Sequence, residues 1–230
     1  MTHDEIFEAL EATWPPLSRT EQGGMITRDG AGGGKRVAAA TIPDDDPKWV
    51  VEPVELPSLI QLRTNQVKID GALESLGYAI VDPTVIYHMP IDLGQVPEIP
   101  KVTTFEIWPP LQAMAELWRE GGIDQARLDV MERAQGAKTG LLGRIDNRVG
   151  GAGFVAIHKS IAMLHALETR ADHRRKGLGR FLTYAALSWA GRNGAEHFML
   201  AVTGQNAVAQ NLYSSLGMTP VARYHYRQKL

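Results

Sequence analysis

ALETRADHRRKGLGRFLTYAAL, residues 166–187, contains the turn on which both the fold and the site depend. ALETR is typical of a strand, ADHRRK of a turn, and GLGRFLTYAAL of a helix whose apolar stripe begins at Leu178. A strand that runs into a helix N-terminus presents free backbone N–H groups and the positive end of the helix dipole. Because Gly177 and Gly179 let a ligand approach this backbone, the stretch predicts a site for an anion such as a pyrophosphate. A solvated basic loop between strand and helix is the alternative.

A second glycine-rich stretch, RDGAGGGKRV at residues 28–37, looks at first like a phosphate loop. A Walker loop has the pattern G-x-x-x-x-G-K-[ST], in which the hydroxyl reaches magnesium and the backbone amides hold the phosphates. Counting back from Gly34 and Lys35, Asp29 stands at the first glycine position, and Arg36 replaces the hydroxyl residue. Both departures favour a hairpin turn, in which glycine supplies positive φ, over a nucleotide site.

The first half of the chain is predicted to contain a helix, two short strands, a longer helix and a strand. Apolar residues recur at helical spacing near the N-terminus, namely Ile6, Phe7, Leu10 and Trp14. GGMITR and KRVAAATIP are predicted as strands on either side of the glycine stretch, and AIVDPTVIYHMPI as a strand with a turn at its proline. SLIQLRTNQVKIDGALESLGY is predicted as one helix, with Leu73 and Leu76 facing inward and Gly77 as its left-handed cap.

The second half is predicted to begin near residue 97, because DLGQVPEIP has a glycine, two prolines and few apolar anchors. After it come a strand in KVTTFEIW, helices in PLQAMAELWREGG and DQARLDVMERA, and three strands within residues 138–170. The helix of the opening stretch, the strand HFMLAVT, the helix AVAQNLYSSLG and the strand VARYHYRQ complete the chain. This order indicates a mixed α/β (α+β) sheet and two domains, residues 1–97 and 98–230.

Composition narrows the class of protein. With 44% hydrophobic and 22% charged residues and a net charge of −2, the chain has an ordinary globular balance and no basic footprint for nucleic acid. The absence of cysteine excludes disulfides and cysteine-ligated metals. No apolar run approaches the roughly 20 residues that span a membrane, and the N-terminus lacks the apolar segment of a signal peptide. We therefore expect a cytoplasmic protein.

Two motifs occur in order in the second half. Arg174-x-x-Gly177-x-Gly179 follows a strand and fits the pattern [QR]-x-x-G-x-[GA], and NAVAQNLYSSLGM fits N-x-x-A-x-x-L-Y-x-x-x-G-[FM]. The residues that fit the second pattern are Asn206, Ala209, Leu212, Tyr213, Gly217 and Met218. Together the two motifs resemble those of the GNAT superfamily of N-acyltransferases, over roughly residues 102–230. FEALEATWPP, the glycine hairpin and LESLGY look like the degenerate first half of double-GNAT proteins, which would bind no cofactor because the first motif is missing there.

The resemblance implies acetyl-CoA as the co-substrate, with its pyrophosphate on the turn of the first motif. The residues expected to hold it are Arg174, Arg175, Lys176, Gly177, Leu178, Gly179 and Arg180. Backbone groups of Leu167 and Thr169 would contact pantetheine or the acetyl carbonyl, in a gap where this strand splays from its neighbour. Asn206 would bind pantetheine, cap the following helix, or do both. Tyr213 falls at the position of the general acid that protonates the departing thiolate, and packing at a helix end is the alternative.

A base or a water relay must accept the proton of the attacking amine. Strand alternation places His165, Leu167 and Thr169 on one face and Glu168 on the other. His165, with a reference pKa of about 6.5, suits a base near neutrality; Glu168 is the second candidate, and water alone is the third. Because residues 165 and 168 face opposite sides and the histidines form no HExxH pattern, no metal site is expected.

These patterns predict a GNAT-fold N-acetyltransferase with a degenerate N-terminal domain and a catalytic C-terminal one. The acetyl group would pass from acetyl-CoA to a primary amine by direct attack, through a tetrahedral intermediate. We expect a small-molecule acceptor and no nucleic-acid or membrane partner, and a homodimer is compatible with the sequence. The alternative is a non-catalytic acyl-CoA-binding sensor or regulatory module. The three aspartates at residues 44–46 are interpreted as a solvated acidic loop rather than a site for a cationic amine.

Overall fold

The computed structural model describes residues 1–51 and 55–229, which form one mixed sheet with helices on both faces. The strands are β1 (Ser18–Gln22), β2 (Met25–Asp29), β3 (Ala40–Thr41), β4 (Leu59–Arg63), β5 (Tyr78–Pro90), β6 (Thr104–Ile107), β7 (Lys138–Ile145), β8 (Arg148–His158), β9 (Ile161–Thr169), β10 (His197–Thr203) and β11 (Thr219–Lys229). The helices are α1 (His3–Ala12), α2 (Lys35–Ala38), α3 (Lys48–Val51), α4 (Val67–Ser75), α5 (Gln112–Glu120), α6 (Gln125–Arg133), α7 (Leu178–Arg192) and α8 (Ala207–Ser215).

The strand order across the sheet is β1-β2-β3-β4-β11-β5-β10-β9-β8-β7-β6. Strands β3 and β4 pair in parallel, as do β9 and β10, and the remaining neighbours are antiparallel. Tight turns at Asp146–Asn147 and Lys159–Ser160 make β7, β8 and β9 antiparallel, whereas the crossover through α7 makes β9 and β10 parallel. The mixed α/β sheet predicted from the sequence is confirmed.

The two halves of the chain exchange strands in the middle of the sheet. Each half contains a strand, helix and strand in succession: β4, α4 and β5 in the first, β10, α8 and β11 in the second. Strand β5 pairs with β10 of the second half, from His197↔Pro90 to Thr203↔Thr84. Strand β11 lies between β5 and β4 of the first half. Neither half therefore has a complete sheet of its own.

Alternating residues of β8 show which helices cover each face of the sheet. Val155 belongs to an apolar cluster with Leu182 of α7 and Tyr213 of α8. Its neighbour Phe154 belongs to a different cluster, with Trp118 of α5. Since successive strand residues point to opposite faces, α7 and α8 cover one face and α5 the other. We call these the α7 face and the α5 face.

The region after the glycine stretch differs from the prediction. Lys35–Ala38, predicted as part of a strand, forms the short helix α2, and only Ala40–Thr41 pair in the sheet. An alanine-rich segment suits a helix as well as a strand, so the local signal was ambiguous. The glycine stretch therefore lies in a longer, helix-containing connection between the antiparallel strands β2 and β3, and not in a tight hairpin turn. Gly34, with φ of 97°, turns the chain from β2 into α2.

The predicted long helix at residues 58–78 begins later than expected. Leu59–Arg63 is strand β4, and its burial alternates residue by residue, which is the period of a strand. Leu73 is buried as predicted, but Leu76 is 47% exposed. Gly77 follows the helix with φ of 84°, as the predicted left-handed cap requires. No helix within the part of the chain that the structure describes is both long and apolar enough to cross a membrane.

Candidate active site

The turn between β9 and α7 leaves a row of backbone donors free. Gly177 has φ of 84° and Arg175 φ of 61°, and the helix begins at Leu178. Within residues 1–51 and 55–229, the N–H groups of residues 175–180 find no acceptor. A concave row of free N–H groups at a helix N-terminus attracts an anion.

The cations of this turn are held by weak contacts. Arg174 donates from Nε to the carbonyl of Thr169 (3.2 Å), and Arg180 donates to the Ser215 hydroxyl (3.2 Å). Lys176 pairs with Asp146 at 2.9 Å, but both side chains are about half exposed, at 46% and 64%. Exposed pairs of this kind contribute little, so these side chains can reorient towards a bound anion at small cost.

Strands β9 and β10 separate at the turn end of β9. Their parallel ladder runs from His197↔Ile161 to Leu200↔Leu164 and stops there. Strand β9 nevertheless continues to Thr169 along β8, and β10 continues to Thr203 along β5. The gap between them begins beside His165, where the sequence prediction placed the splay.

A bulge lies on β9 at the splay. Ala166 has φ of 50°, and the β8–β9 register shifts between Phe154↔His165 and Ala152↔Glu168. Because of the extra residue, Leu167 packs on the α7 face, opposite His165, so the predicted sharing of one face by these two residues is wrong. Trp118 of α5 donates its indole N–H to the Ala166 carbonyl at 2.8 Å. This bond satisfies a carbonyl that the bulge removes from the ladder.

Glu168 lies on the α5 face, the side to which His165 also points. A Cβ on Gly121, at the end of α5, would meet the Glu168 side chain at 3.0 Å, whereas the prediction had Glu168 and His165 on opposite sides. Burial raises the pKa of Glu168, and the positive charge of Arg174 partly offsets this effect. Across the residues that the structure describes, no three His, Asp or Glu side chains are grouped as for a metal ion.

His165 is buried, and both of its ring nitrogens have partners. Arg36 Nη1 lies 3.1 Å from Nδ1, and Thr13 Oγ1 lies 2.9 Å from Nε2. An arginine can only donate, so Nδ1 accepts and Nε2 carries the proton. Thr13 in turn donates to the Ala9 carbonyl at 2.6 Å. Burial, together with the charge of Arg36, lowers the pKa of His165 well below its ordinary value, so the ring is neutral.

Tyr213 lies on α8, facing the α7 side of the sheet. The side chain is 5% exposed, and its ring centroid lies 6.4 Å from that of Tyr87. No hydrogen bond to its hydroxyl occurs among the described residues. Burial, and to a lesser extent the charge of Glu168, raises the pKa of Tyr213 above its ordinary value, so the phenol keeps its proton. Asn206 accepts from the Ala209 N–H at 3.0 Å, which confirms the predicted helix cap.

A cavity of about 300 Å³ opens beside the splay. It lies against His165 and Ala166 of β9 and Thr203 of β10. Its other walls come from the segment after α1, the glycine stretch with α2, β5, the loop before α6 with α6 itself, and β11. The residues are Trp14, Gly33, Gly34, Lys35, Arg36, Asp82, Thr84, Ile123, Arg127, Tyr224 and Tyr226. The glycine stretch thus forms a wall of this cavity, a role that sequence reasoning missed.

The free-amide turn, the splayed strands β9 and β10 and the buried phenol on α8 lie in the region that carries the two sequence motifs. Residues 105–218 match the model of the Acetyltransferase (GNAT) family. The C-terminal half of the chain is therefore a GNAT acetyltransferase domain and belongs to that family.

Relatives and solved structures agree with this class. The chain is 34% identical to YobR of Bacillus subtilis, named as an uncharacterized N-acetyltransferase, over 77 residues, which are 34% of this chain and 31% of the relative. A GCN5-related N-acetyltransferase from Kribbella flavida superposes with a TM-score of 0.74 at 19% identity, over 98% of this chain and 94% of that one. A tandem GNAT protein from the clavulanic acid biosynthesis pathway gives 0.59 at 15% identity, over 93% and 84%. The predicted GNAT fold is confirmed.

Proposed function

We propose that this protein moves an acetyl group from acetyl-CoA to a primary amine of a small molecule in the cytoplasm. The observation that carries the proposal is that one region combines the free amides of residues 175–180, the splay of β9 from β10, and helix α8, which carries Tyr213 and contacts the start of α7. A non-catalytic acyl-CoA-binding module would need the first two features but not a protonated phenol.

In this proposal, the free amides at residues 175–180 bind the pyrophosphate, and the cations around them add long-range attraction. Backbone groups of Leu167 and Thr169, on the edge of β9 that β10 leaves unpaired, bind pantetheine or the acetyl carbonyl. A backbone N–H at this edge stabilises the oxyanion of the tetrahedral intermediate. Asn206 keeps its side-chain amide N–H groups for pantetheine, because its cap uses only the oxygen.

In this proposal, the attacking amine and the departing thiolate lie on opposite faces of the sheet. The amine attacks the thioester carbon from the cavity on the α5 face, and a C–N bond forms. The C–S bond then breaks towards the α7 face, where Tyr213 gives its proton to the sulfur. A phenol whose pKa is raised by burial remains a donor throughout the neutral range. The products are an acetamide and coenzyme A thiol.

Glu168 is the better-placed base for the proton that the amine loses. Its side chain lies on the α5 face, to which His165 also points, and burial raises its pKa. His165 has no free nitrogen with which to accept a proton, because Nδ1 already accepts from Arg36. We propose that Glu168 accepts the proton through water and that His165 holds Arg36 in position.

The two halves of the chain have different roles in this proposal. We propose that residues 98–230 form the catalytic domain and residues 1–97 a degenerate GNAT-like domain. The first half supplies β5, which pairs with β10, and the glycine stretch that lines the cavity. Acceptor specificity would then reside largely in residues 1–97.

The replacement of Tyr213 by phenylalanine tests the proposal. Tyr213→Phe keeps the buried ring and removes only the proton donor. Thiol release from acetyl-CoA should fall about 100-fold or more, while the Kd for acetyl-CoA should barely change. The assay pairs thiol release with mass spectrometry of the acetylated amine over a panel of primary amines.

Tyr184→Phe provides the matched control, because Tyr184 lies on α7 outside the proposed site. It should retain wild-type turnover. Equal turnover in Tyr213→Phe and the wild type would remove Tyr213 from the mechanism. Tight binding of acetyl-CoA without acetylation of any amine would favour the non-catalytic module.

A further inference from the structure

Arg36 brings a positive charge into the cavity wall without a carboxylate partner. It lies on α2, between His165 and the phenols of Tyr224 and Tyr226. Its Nε is buried and has no acceptor, and no carboxylate pairs with it among residues 1–51 and 55–229. Buried cations in proteins are ordinarily paired, because an unpaired charge loses hydration without compensation.

The surroundings of Arg36 favour its charged form. Burial by itself would lower the pKa of the guanidinium, but the nearby oxygens of Tyr224 and Tyr226 outweigh burial and raise it. His165 contributes no opposing charge, since its ring is neutral and accepts from Arg36. The compensation missing from the protein is an anion, and Arg36 lines a cavity that one could enter.

The cavity as a whole is positive. Three cations line it, Lys35, Arg36 and Arg127, against one carboxylate, Asp82. Asp82 is already engaged by Lys35 at 2.8 Å, so it is not free to attract a cationic amine. Positive surroundings disfavour the ammonium form of a bound amine and thus lower its pKa, which helps the neutral amine to form.

We propose that the acceptor is a small amine that also carries a carboxylate, such as an amino acid, and that Arg36 binds that carboxylate. The inference rests on the proposed acetyl transfer and adds the class of acceptor. A planar guanidinium matches a carboxylate in a fork of parallel hydrogen bonds, which fixes the orientation of the molecule as well as its position. With the carboxylate at Arg36, the amine of the same molecule would lie in a cavity whose wall also includes His165 and Ala166 of β9.

The test compares acceptors that differ only in the carboxylate. L-Phenylalanine, L-leucine and β-alanine are each assayed beside their carboxamides and beside phenethylamine, isoamylamine and ethylamine. Acetyl transfer is followed by thiol release and by the mass of the product, in the wild type and in Arg36→Gln. In the wild type, kcat/KM should be at least 10-fold higher for a carboxylate-bearing acceptor than for its two partners. Arg36→Gln should lower kcat/KM for that acceptor about 100-fold and leave the matched amine within about 3-fold.

Two further variants separate recognition from folding. Arg36→Lys keeps the charge without the fork, and should give an intermediate loss for the carboxylate-bearing acceptor. Arg19→Gln changes an arginine that is 55% exposed and pairs with Glu11, outside the cavity, and should behave as the wild type. The Kd for acetyl-CoA, measured in all variants, reports whether the fold and the cofactor site are intact.

The outcomes distinguish this inference from the proposed function. Acetylation of amines without preference for a carboxylate, or an equal loss on both kinds of acceptor in Arg36→Gln, overturns the inference and leaves acetyl transfer standing. If no amine is acetylated, the proposed function fails. In that case, the binding of amino acids in the absence of acetyl-CoA decides the inference. The inference stands if their Kd for the wild type is at least 10-fold lower than their Kd for Arg36→Gln, and it is overturned otherwise.

Discussion

His165 joins two halves of the molecule through a chain of hydrogen bonds. Arg36 donates to Nδ1, Nε2 donates to Thr13, and Thr13 donates to the carbonyl of Ala9. Nε2 already carries a proton, so a second proton on the ring would sit on Nδ1 and face the positively charged Arg36. The ring is thereby held neutral, and it fixes the position of the guanidinium.

This neutrality makes a prediction about stability against pH. The pKa of His165 in the fold is far below its value of about 6.5 in the unfolded chain, so below pH 6.5 the unfolded chain binds one more proton. The stability from the neutral ring is therefore complete above pH 6.5 and is lost as the pH falls towards the folded pKa. In His165→Gln, the slope of unfolding free energy between pH 6 and 5 should be smaller by about 1.4 kcal/mol per pH unit.

Urea unfolding at several pH values measures this slope. His3→Gln, at an exposed histidine of α1, serves as the control and should keep the wild-type slope. An unchanged slope in His165→Gln would mean that His165 titrates normally in the fold, and would restore it as a candidate base.

Residues within a local motif could be predicted, and residues that act through tertiary contacts could not. Gly177 and Asn206 take the conformation and the cap that their motifs predict. Arg36 was seen only as a departure from a Walker loop, since its neighbours come from β9 and β11, far away in the chain. A buried cation without a carboxylate partner has no signature in the sequence.

At the scale of elements, the bulge on β9 does most to shape the site. It turns Leu167 to the α7 face and brings Glu168 to the α5 face, beside Gly121 at the end of α5. Strand alternation cannot predict this change, because one inserted residue reverses the facing of every residue after it. The sequence of β4 contains a pattern of period two that matches its alternating burial. The helical pattern that follows β4 in the sequence obscured this strand pattern.

Trp118 should hold this bulge in place. Trp118→Phe keeps an aromatic ring in the core and leaves the Ala166 carbonyl without its donor. Unfolding free energy should fall by about 1–3 kcal/mol from the unsatisfied carbonyl, in addition to the loss of packing. Turnover should fall as well, because the backbone of Leu167 follows directly after the bulge.

Trp189→Phe is the control for the loss of indole packing. Trp189 of α7 is also buried, at 7% exposure, but lies away from the splay. It should lose some stability and keep its turnover per folded molecule. If both variants had the same turnover, the bond from Trp118 would be structural only.

At the scale of the whole molecule, the two halves form one site between them. Strand β5 of the first half continues the sheet beyond β10, and β11 of the second half lies between strands of the first. The cavity beside the splay takes its walls from both halves, while the free-amide turn belongs to the second alone. The order of elements suggested duplication, but strand exchange depends on pairing over long sequence separations, which local patterns do not encode.

The central claim is that acetyl-CoA binds with its phosphates at the turn between β9 and α7, and that the glycine stretch at residues 28–37 binds none. Gly179→Glu tests it most directly. A Cβ at Gly179 would meet only Leu212, at an ordinary 3.4 Å, so the variant should fold; its carboxylate would stand where the pyrophosphate binds. Gly71→Glu on α4 makes the same change in open space.

The measurement is thermal or urea unfolding with and without acetyl-CoA. At 100 times its Kd, acetyl-CoA should stabilise the wild type and Gly71→Glu by about 2.7 kcal/mol, and Gly179→Glu by close to none. Full stabilisation of Gly179→Glu by acetyl-CoA would contradict the account and would move the phosphate site elsewhere in the molecule.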